Sequence, residues 1–166
     1  MDRLIWSKGL LKNKLTVARD GRQIGVIDWN NLFSSEAMAT LNGRRFLLNR
    51  DFFLSKLEIS DATNEAPLGT IMINLFNPRS DLVLNGKRFE LEIKNFWQSR
   101  WAWKFNGQEM IVFQSDEFLS KDKGSIEIYS SDSEELEILI LLGLFVRNQL
   151  VLFMLLLLLV VLVVLI

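Results

Sequence analysis

Four Asx-Gly dipeptides constrain the fold of this 166-residue chain more than any other feature of its sequence. They are Asp20-Gly21, Asn42-Gly43, Asn85-Gly86 and Asn106-Gly107. Both central positions of a type I′ turn need a positive φ, which Asn, Asp and Gly tolerate best, so each dipeptide predicts a tight hairpin. Short apolar or alternating runs flank all four dipeptides, and they predict a mainly antiparallel β protein.

About twelve short runs have the apolar or alternating pattern of β-strands, and this number determines whether a closed barrel needs something to fill its lumen. They lie near residues 4–6, 13–18, 22–29, 36–41, 44–50, 52–59, 69–76, 81–84, 87–94, 96–105, 108–114 and 125–130. Pro67 and Pro78 fall in polar connections between these runs. Eight strands close into a barrel that its own side chains fill, so a closed barrel of about twelve leaves a lumen that needs an occupant.

The hairpin sequence "LNGRRF" at 41–46 returns as "LNGKRF" at 84–89. The turn glycines 21, 43, 86 and 107 form two pairs spaced 22 and 21, the second pair about 65 residues after the first. This spacing predicts a barrel of two pseudo-repeated halves. The alternative is that Asn-Gly turns are common and the two hexamers match by coincidence.

The segment "SDSEELEILILLGLFVRNQ" predicts the occupant of the lumen, a central helix over 134–149. Ser131 or Asp132 can cap it, and Glu134 or Glu135 completes a capping box. The segment is apolar on all sides, which indicates burial. The predicted barrel plug consists of Leu136, Ile138, Leu139, Leu141, Leu142 and Phe145.

The residues 150–166, "LVLFMLLLLLVVLVVLI", contain no charge, no polar side chain and no helix breaker. At about 1.5 Å per residue they reach roughly 25 Å, and about 17 residues is the lower bound for a membrane-spanning helix. The sequence thus predicts a barrel domain at 1–149 and a C-terminal transmembrane anchor at 150–166, with Arg147 at the interface. The alternatives are that this tail is itself the plug or an oligomer interface, or that the chain spans the membrane twice.

The composition excludes several classes of function. The chain has no Cys and no His, which removes thiolate chemistry, zinc-finger spacings and the commonest general base. Its net charge of −1 gives no reason to expect a nucleic-acid partner. No secretory signal is recognised at the N-terminus. We therefore predict no catalytic residue, metal site or cofactor; the alternative is an enzyme that uses carboxylates such as Asp51, Asp81 or Asp116.

Basic residues beside the turns are candidate contacts for lipid phosphates if the two halves align their hairpins; otherwise they are solvated hairpin tips. They are Arg22, Arg44, Arg45, Lys87 and Arg88. In "NFWQSRWAWKF", alternation puts Trp101, Trp103 and Phe105 on one face. We expect that face to pack against the central helix; the alternative is an interfacial aromatic belt.

Twelve short strands in two hairpin-rich halves around an apolar C-terminal helix resemble the tubby-like C-terminal fold of the LURP-one-related proteins and the phospholipid scramblases, including small bacterial members. The resemblance covers roughly residues 4–149 and rests on the placement of "EELEILILLGLFV" after the last strand. The added apolar tail departs from the family, and no phosphoinositide-binding residue of the family matches by position.

The resemblance implies a non-enzymatic barrel associated with membranes or phospholipids. We expect a phospholipid-proximal binding or scaffolding module, or alternatively a scramblase-like transporter of phospholipid between leaflets. Its expected partners are the lipid bilayer, contacted through 150–166, and an anionic phospholipid. We expect a single-pass, tail-anchored membrane protein with the barrel facing the cytoplasm.

Overall fold

The computed structural model describes residues 2–9, 12–74, 77, 79–94, 99–117, 121–130 and 134–165. These residues form twelve strands and one α-helix. The strands are β1 (Asp2–Gly9), β2 (Lys14–Arg19), β3 (Arg22–Trp29), β4 (Glu36–Leu41), β5 (Arg44–Arg50), β6 (Lys56–Asp61), β7 (Pro67–Met72), β8 (Arg79–Leu84), β9 (Lys87–Ile93), β10 (Arg100–Phe105), β11 (Gln108–Glu117) and β12 (Lys121–Ile128), and the helix is α1 (Leu136–Leu165).

The strands close into an antiparallel barrel. Each strand pairs with the strands before and after it in the chain, and β1 completes the ring by pairing with β12 from Asp2 opposite Ile128 to Gly9 opposite Lys121. The predicted fold class, a closed barrel of about twelve strands around a C-terminal apolar helix, is confirmed.

The four predicted hairpin turns lie after β2, β4, β8 and β10, and all eight of their central residues have positive φ. Because adjacent strands are antiparallel, every connection that follows an even-numbered strand lies at one end of the barrel, which we call the turn end. Connections that follow odd-numbered strands lie at the other end, which we call the exit end because α1 leaves the barrel there.

The spacing of the turns matches a division of the barrel into two halves, but the positions of the repeated hexamer do not. The turns after β2 and β4 correspond to those after β8 and β10, six strands further along, which is half of the twelve-stranded ring. The two hexamers lie at the turns after β4 and β8, only four strands apart. The two similar hexamers therefore do not occupy equivalent positions of the two halves, and their similarity has another cause.

The core lies between the inner wall of the barrel and α1. Alternate residues of the strands face inward and are buried, as Phe46 and Leu48 are on β5. The helix is buried on all sides from Ile138 to Leu150, including Leu141 and Phe145 at 0% exposure. An apolar helix therefore fills the lumen that a twelve-stranded barrel leaves open.

Several strand boundaries differ from the sequence prediction. Strand β6 begins at Lys56 instead of residue 52, because residues 51–55 form a turn that projects Phe52 and Phe53 outward. Strand β7 begins at Pro67, where a missing N–H is tolerated. The predicted start of β10 at 96 and Pro78 lie outside the described residues.

Candidate functional site

The start of α1 is held at the turn end by two acidic side chains, Glu135 just before the helix and Glu137 in its first turn. Glu135, which is 1% exposed, accepts hydrogen bonds from Asn85 at 3.0 Å and from Lys87 at 3.2 Å. Glu137 accepts hydrogen bonds from Asn42 at 3.0 Å and from Arg44 at 2.8 Å. Carboxylates also complement the positive end of the helix dipole.

This geometry explains the repeated hexamer. In each copy the turn asparagine and the first basic residue after the glycine bind one acidic side chain at the start of α1. The flanking Leu and Phe of each copy, Leu41 with Phe46 and Leu84 with Phe89, are buried in the core. The two nearly identical hexamers recur because each turn binds one acidic side chain at the start of α1.

Two tryptophans fix the middle of the helix. Trp103 Nε1 donates to the carbonyl of Leu139 at 2.6 Å, and Trp101 Nε1 donates to the carbonyl of Gly143 at 3.0 Å. A Cβ at Gly143 would lie 2.5 Å from the Phe113 ring, so glycine permits this close approach. The expectation that Trp101 and Trp103 pack against the helix is confirmed; Phe105 is only partly buried beside the core.

A buried polar layer surrounds α1 at the exit end. Arg147, 4% exposed, forms an ion pair with Asp122 and a hydrogen bond with Ser115, and its guanidinium lies 5.1 Å from the Trp6 ring centre. The prediction that Arg147 lies at the membrane interface is wrong, because Asp122 and the aromatic wall hold it inside the barrel. Residues far apart in the chain create this pair, so α1 alone could not reveal it.

Two further basic side chains belong to the same layer. Arg50, the last residue of β5, donates from Nε to Gln149 Oε1 at 2.6 Å, one residue before the last buried residue of α1. Lys8 is 7% exposed, and its nitrogen lies 6.0 Å from the Trp29 ring centre. Burial lowers the pKa of Lys8; Asp122 opposes this shift and Arg147 adds to it.

Beyond this layer α1 continues without a break and leaves the barrel. Residues 151–154 are half-buried, and the described residues from 155 to 165 are all apolar and 38–78% exposed. By length and composition α1 is able to cross a membrane. The sequence divided this region into a plug and an anchor, whereas the structure has one continuous helix whose surroundings change near Leu150.

The structure brings the five candidate lipid contacts to the turn end, away from the emerging helix. Arg44 and Lys87 bind the acidic side chains at the start of α1, and Arg88 forms an ion pair with Asp81 at 2.6 Å. Arg22 and Arg45 are exposed. Their role in lipid contact stays a prediction, and three of the five already have an internal partner.

The carboxylates considered for catalysis are not brought together. Asp51 caps the turn before β6, Asp81 binds Arg88, and Asp116 is exposed on β11. The described residues contain no group of three acidic, His or Cys side chains arranged to hold a metal. A cavity of about 440 Å³ lies beside the helix start at the turn end. It is lined by Arg44, Leu68, Leu84, Asn85, Glu134 and Ile138.

Comparison of the chain with protein-family models, with curated proteins and with solved structures returned no match.

Proposed function

We propose that this chain is a non-enzymatic, membrane-tethered β-barrel that works as a phospholipid-proximal binding or scaffolding module. The observation that carries the proposal is the change of surroundings along α1. The helix is buried in the barrel as far as Leu150, and its described residues from 155 onward are apolar and exposed.

A bilayer is the surrounding that best stabilises this segment. Residues 151–165 span roughly 22 Å at about 1.5 Å per residue, most of the hydrocarbon thickness of a membrane. All fifteen except Met154 are Leu, Val or Phe. On the insertion scale these side chains contribute about −0.3 to −0.6 kcal/mol each, which sums to roughly −4 to −8 kcal/mol. In water the same surface would be a large exposed apolar patch.

Flotation with phospholipid vesicles tests the proposal. We expect the full chain to float with the vesicles, and a tail-lysine variant carrying Leu156→Lys, Leu159→Lys and Val163→Lys to stay in the aqueous fraction with the barrel folded. These three positions lie outside the barrel, so the matched variant changes the helix surface alone. Equal flotation of both proteins would contradict the anchor.

The alternative, scramblase-like movement of phospholipid, is separated by a second readout on the same vesicles. Residues 155–165 offer no polar side chain to a migrating headgroup. We therefore expect the full chain to bind vesicles without accelerating leaflet exchange of a fluorescent phospholipid. Accelerated exchange, absent with the tail-lysine variant, would favour the transporter.

The proposed orientation places the barrel on the cytoplasmic side. Protease added outside intact cells is expected to leave residues 1–149 whole, and permeabilising the membrane is expected to expose them. Digestion of the barrel in sealed cells would contradict this orientation without affecting the anchor.

A further inference from the structure

The exit end of the barrel carries exposed aromatic side chains, whereas the turn end is mainly polar. Phe52 is 87% exposed, Phe53 76% and Phe33 56%, and all three lie in connections that follow odd-numbered strands. At the turn end the large apolar side chains that are exposed among the described residues are Val83 and Tyr129, and the Tyr129 hydroxyl donates to Glu127. Adjacent, highly exposed phenylalanines are unusual on a surface that faces water only.

The connection between β5 and β6 holds its two phenylalanines in a fixed turn. Asp51 accepts hydrogen bonds from the backbone N–H of Ser55 at 2.7 Å and of Lys56 at 3.0 Å. Leu54 adopts a positive φ of 55° and is buried at 3% exposure. Leu54 thus ties the turn to the core while Phe52 and Phe53, in edge-to-face contact at 5.2 Å, point away from it.

Phe33 is presented in a similar way by the connection between β3 and β4. The Asn31 side chain accepts a hydrogen bond from the Phe33 N–H at 3.0 Å, and the Asn31 carbonyl accepts one from Ser34 at 3.1 Å. Met72, the last residue of β7, is a fourth exposed apolar side chain at this end. Ordered turns thus display apolar groups around the exit.

These rings lie at the same end of the barrel as the point where α1 leaves it. Arg50, which binds Gln149 of the helix at 2.6 Å, is only two residues before Phe52. If the exposed part of α1 enters a bilayer, the surface that surrounds its exit must meet the headgroup layer. Aromatic and apolar side chains bury favourably there, about 5–10 Å deep for an interfacial segment.

We propose that Phe33, Phe52 and Phe53, together called the exit-end rings, form a second contact with the lipid bilayer, which seats the barrel end-on around the anchor. This inference rests on the proposed membrane anchoring of α1.

A single labelled cysteine tests the contact, because the chain contains no natural cysteine. Phe52→Cys and Phe33→Cys in the full chain are labelled with an environment-sensitive fluorophore and bound to phosphatidylcholine–phosphatidylserine vesicles. Thr63→Cys, at the turn end, is the matched control. We expect a blue shift, and quenching by a lipid-borne quencher, at positions 52 and 33 but not at 63.

The outcomes separate this inference from the proposed function. Protein that floats with vesicles while its label at position 52 stays in water overturns the ring contact alone. A blue shift that the lipid quencher cannot reach indicates contact with a second copy of the chain and also overturns it. Failure of the labelled protein to float overturns both the anchor and the ring contact.

Discussion

At the residue scale, within the part of the chain that the structure describes, most of the basic side chains that contact α1 are paired with a carboxylate, whereas the buried Lys8 is not. Arg44 and Lys87 bind the acidic side chains at the start of α1, and Arg147 pairs with Asp122 within the barrel. Lys8 differs from them, since among the described residues no carboxylate lies within ion-pair distance of its nitrogen, which faces the Trp29 ring. Burying a charge without a close partner destabilises the folded state.

Replacing Lys8 with methionine should therefore stabilise the barrel, by about 1 kcal/mol at neutral pH. Burial lowers the pKa of the Lys8 ammonium in the folded state. The buried charge therefore destabilises the fold by its full amount below the folded-state pKa, and this destabilisation disappears above the unfolded-state pKa of about 10.4. Thermal unfolding of Lys8→Met and the wild type should converge as the pH rises past about 10. A destabilised variant at pH 7 would show that the ammonium has a stabilising partner.

Glu92 makes the opposite contribution on the outer wall. Hydrogen bonds from Lys104 and then Lys94 lower its pKa to about 2. Because the pKa of Glu92 is lower in the folded state, its ionised carboxylate stabilises the fold fully when the pH is above the unfolded-state pKa of about 4.3. This stabilisation is lost as the pH falls toward the folded-state pKa of about 2. We expect Glu92→Gln to cost about 1 kcal/mol at pH 7 and nothing near pH 2, measured by denaturant unfolding. A cost that does not change with pH would contradict this assignment.

At the element scale, α1 is a single helix with two surroundings. The sequence predicted a central helix that ends at residue 149 and an anchor that begins at 150, but none of the residues 147–149 breaks a helix, and α1 continues through them. Their side chains instead form the polar layer that closes the barrel around the helix. The change from protein to exposed surface comes where the strands end.

One substitution at two positions tests this division. Leu141→Asp would bury a carboxylate within the lumen and cost several kcal/mol, comparable to the whole stability of a domain. Leu158→Asp, the matched control, lies on the exposed part of α1 and should leave the melting temperature of the barrel unchanged. Circular dichroism in mild detergent measures both. Equal melting temperatures for Leu141→Asp and the wild type would place the helix outside the core.

At the scale of the whole molecule, local sequence patterns predicted the barrel, whereas the ion pairs between distant segments could not be predicted. Turns such as Asn42-Gly43 act through their own backbone preferences, so the strands they join could be predicted from the sequence. The Phe52-Phe53 turn was predicted to be part of a strand, because phenylalanine favours strands. In the structure the Asp51 carboxylate accepts a hydrogen bond from the Ser55 N–H and closes a turn there instead. The pairs Glu135–Lys87 and Arg147–Asp122 join distant segments, which no local pattern reveals.

The arrangement as a whole has a direction. Two hexamers hold the start of α1 at the turn end, the indoles of Trp101 and Trp103 fix its middle, and the polar layer closes around it before it emerges. The first half of the helix thus completes the barrel, and the second half is left for a membrane. Each half should be stabilised independently of the other.

Hydrogen–deuterium exchange along α1 tests this central claim most directly, because it reads both halves of the helix in one experiment. In the vesicle-bound wild type we expect amides of residues 136–150 and of 151–165 to be protected. In the soluble tail-lysine variant, 136–150 should keep its protection while 151–165 exchanges rapidly. The account would be contradicted if both halves of the helix lost protection in the variant. It would also be contradicted if residues 151–165 of the lipid-free variant stayed protected.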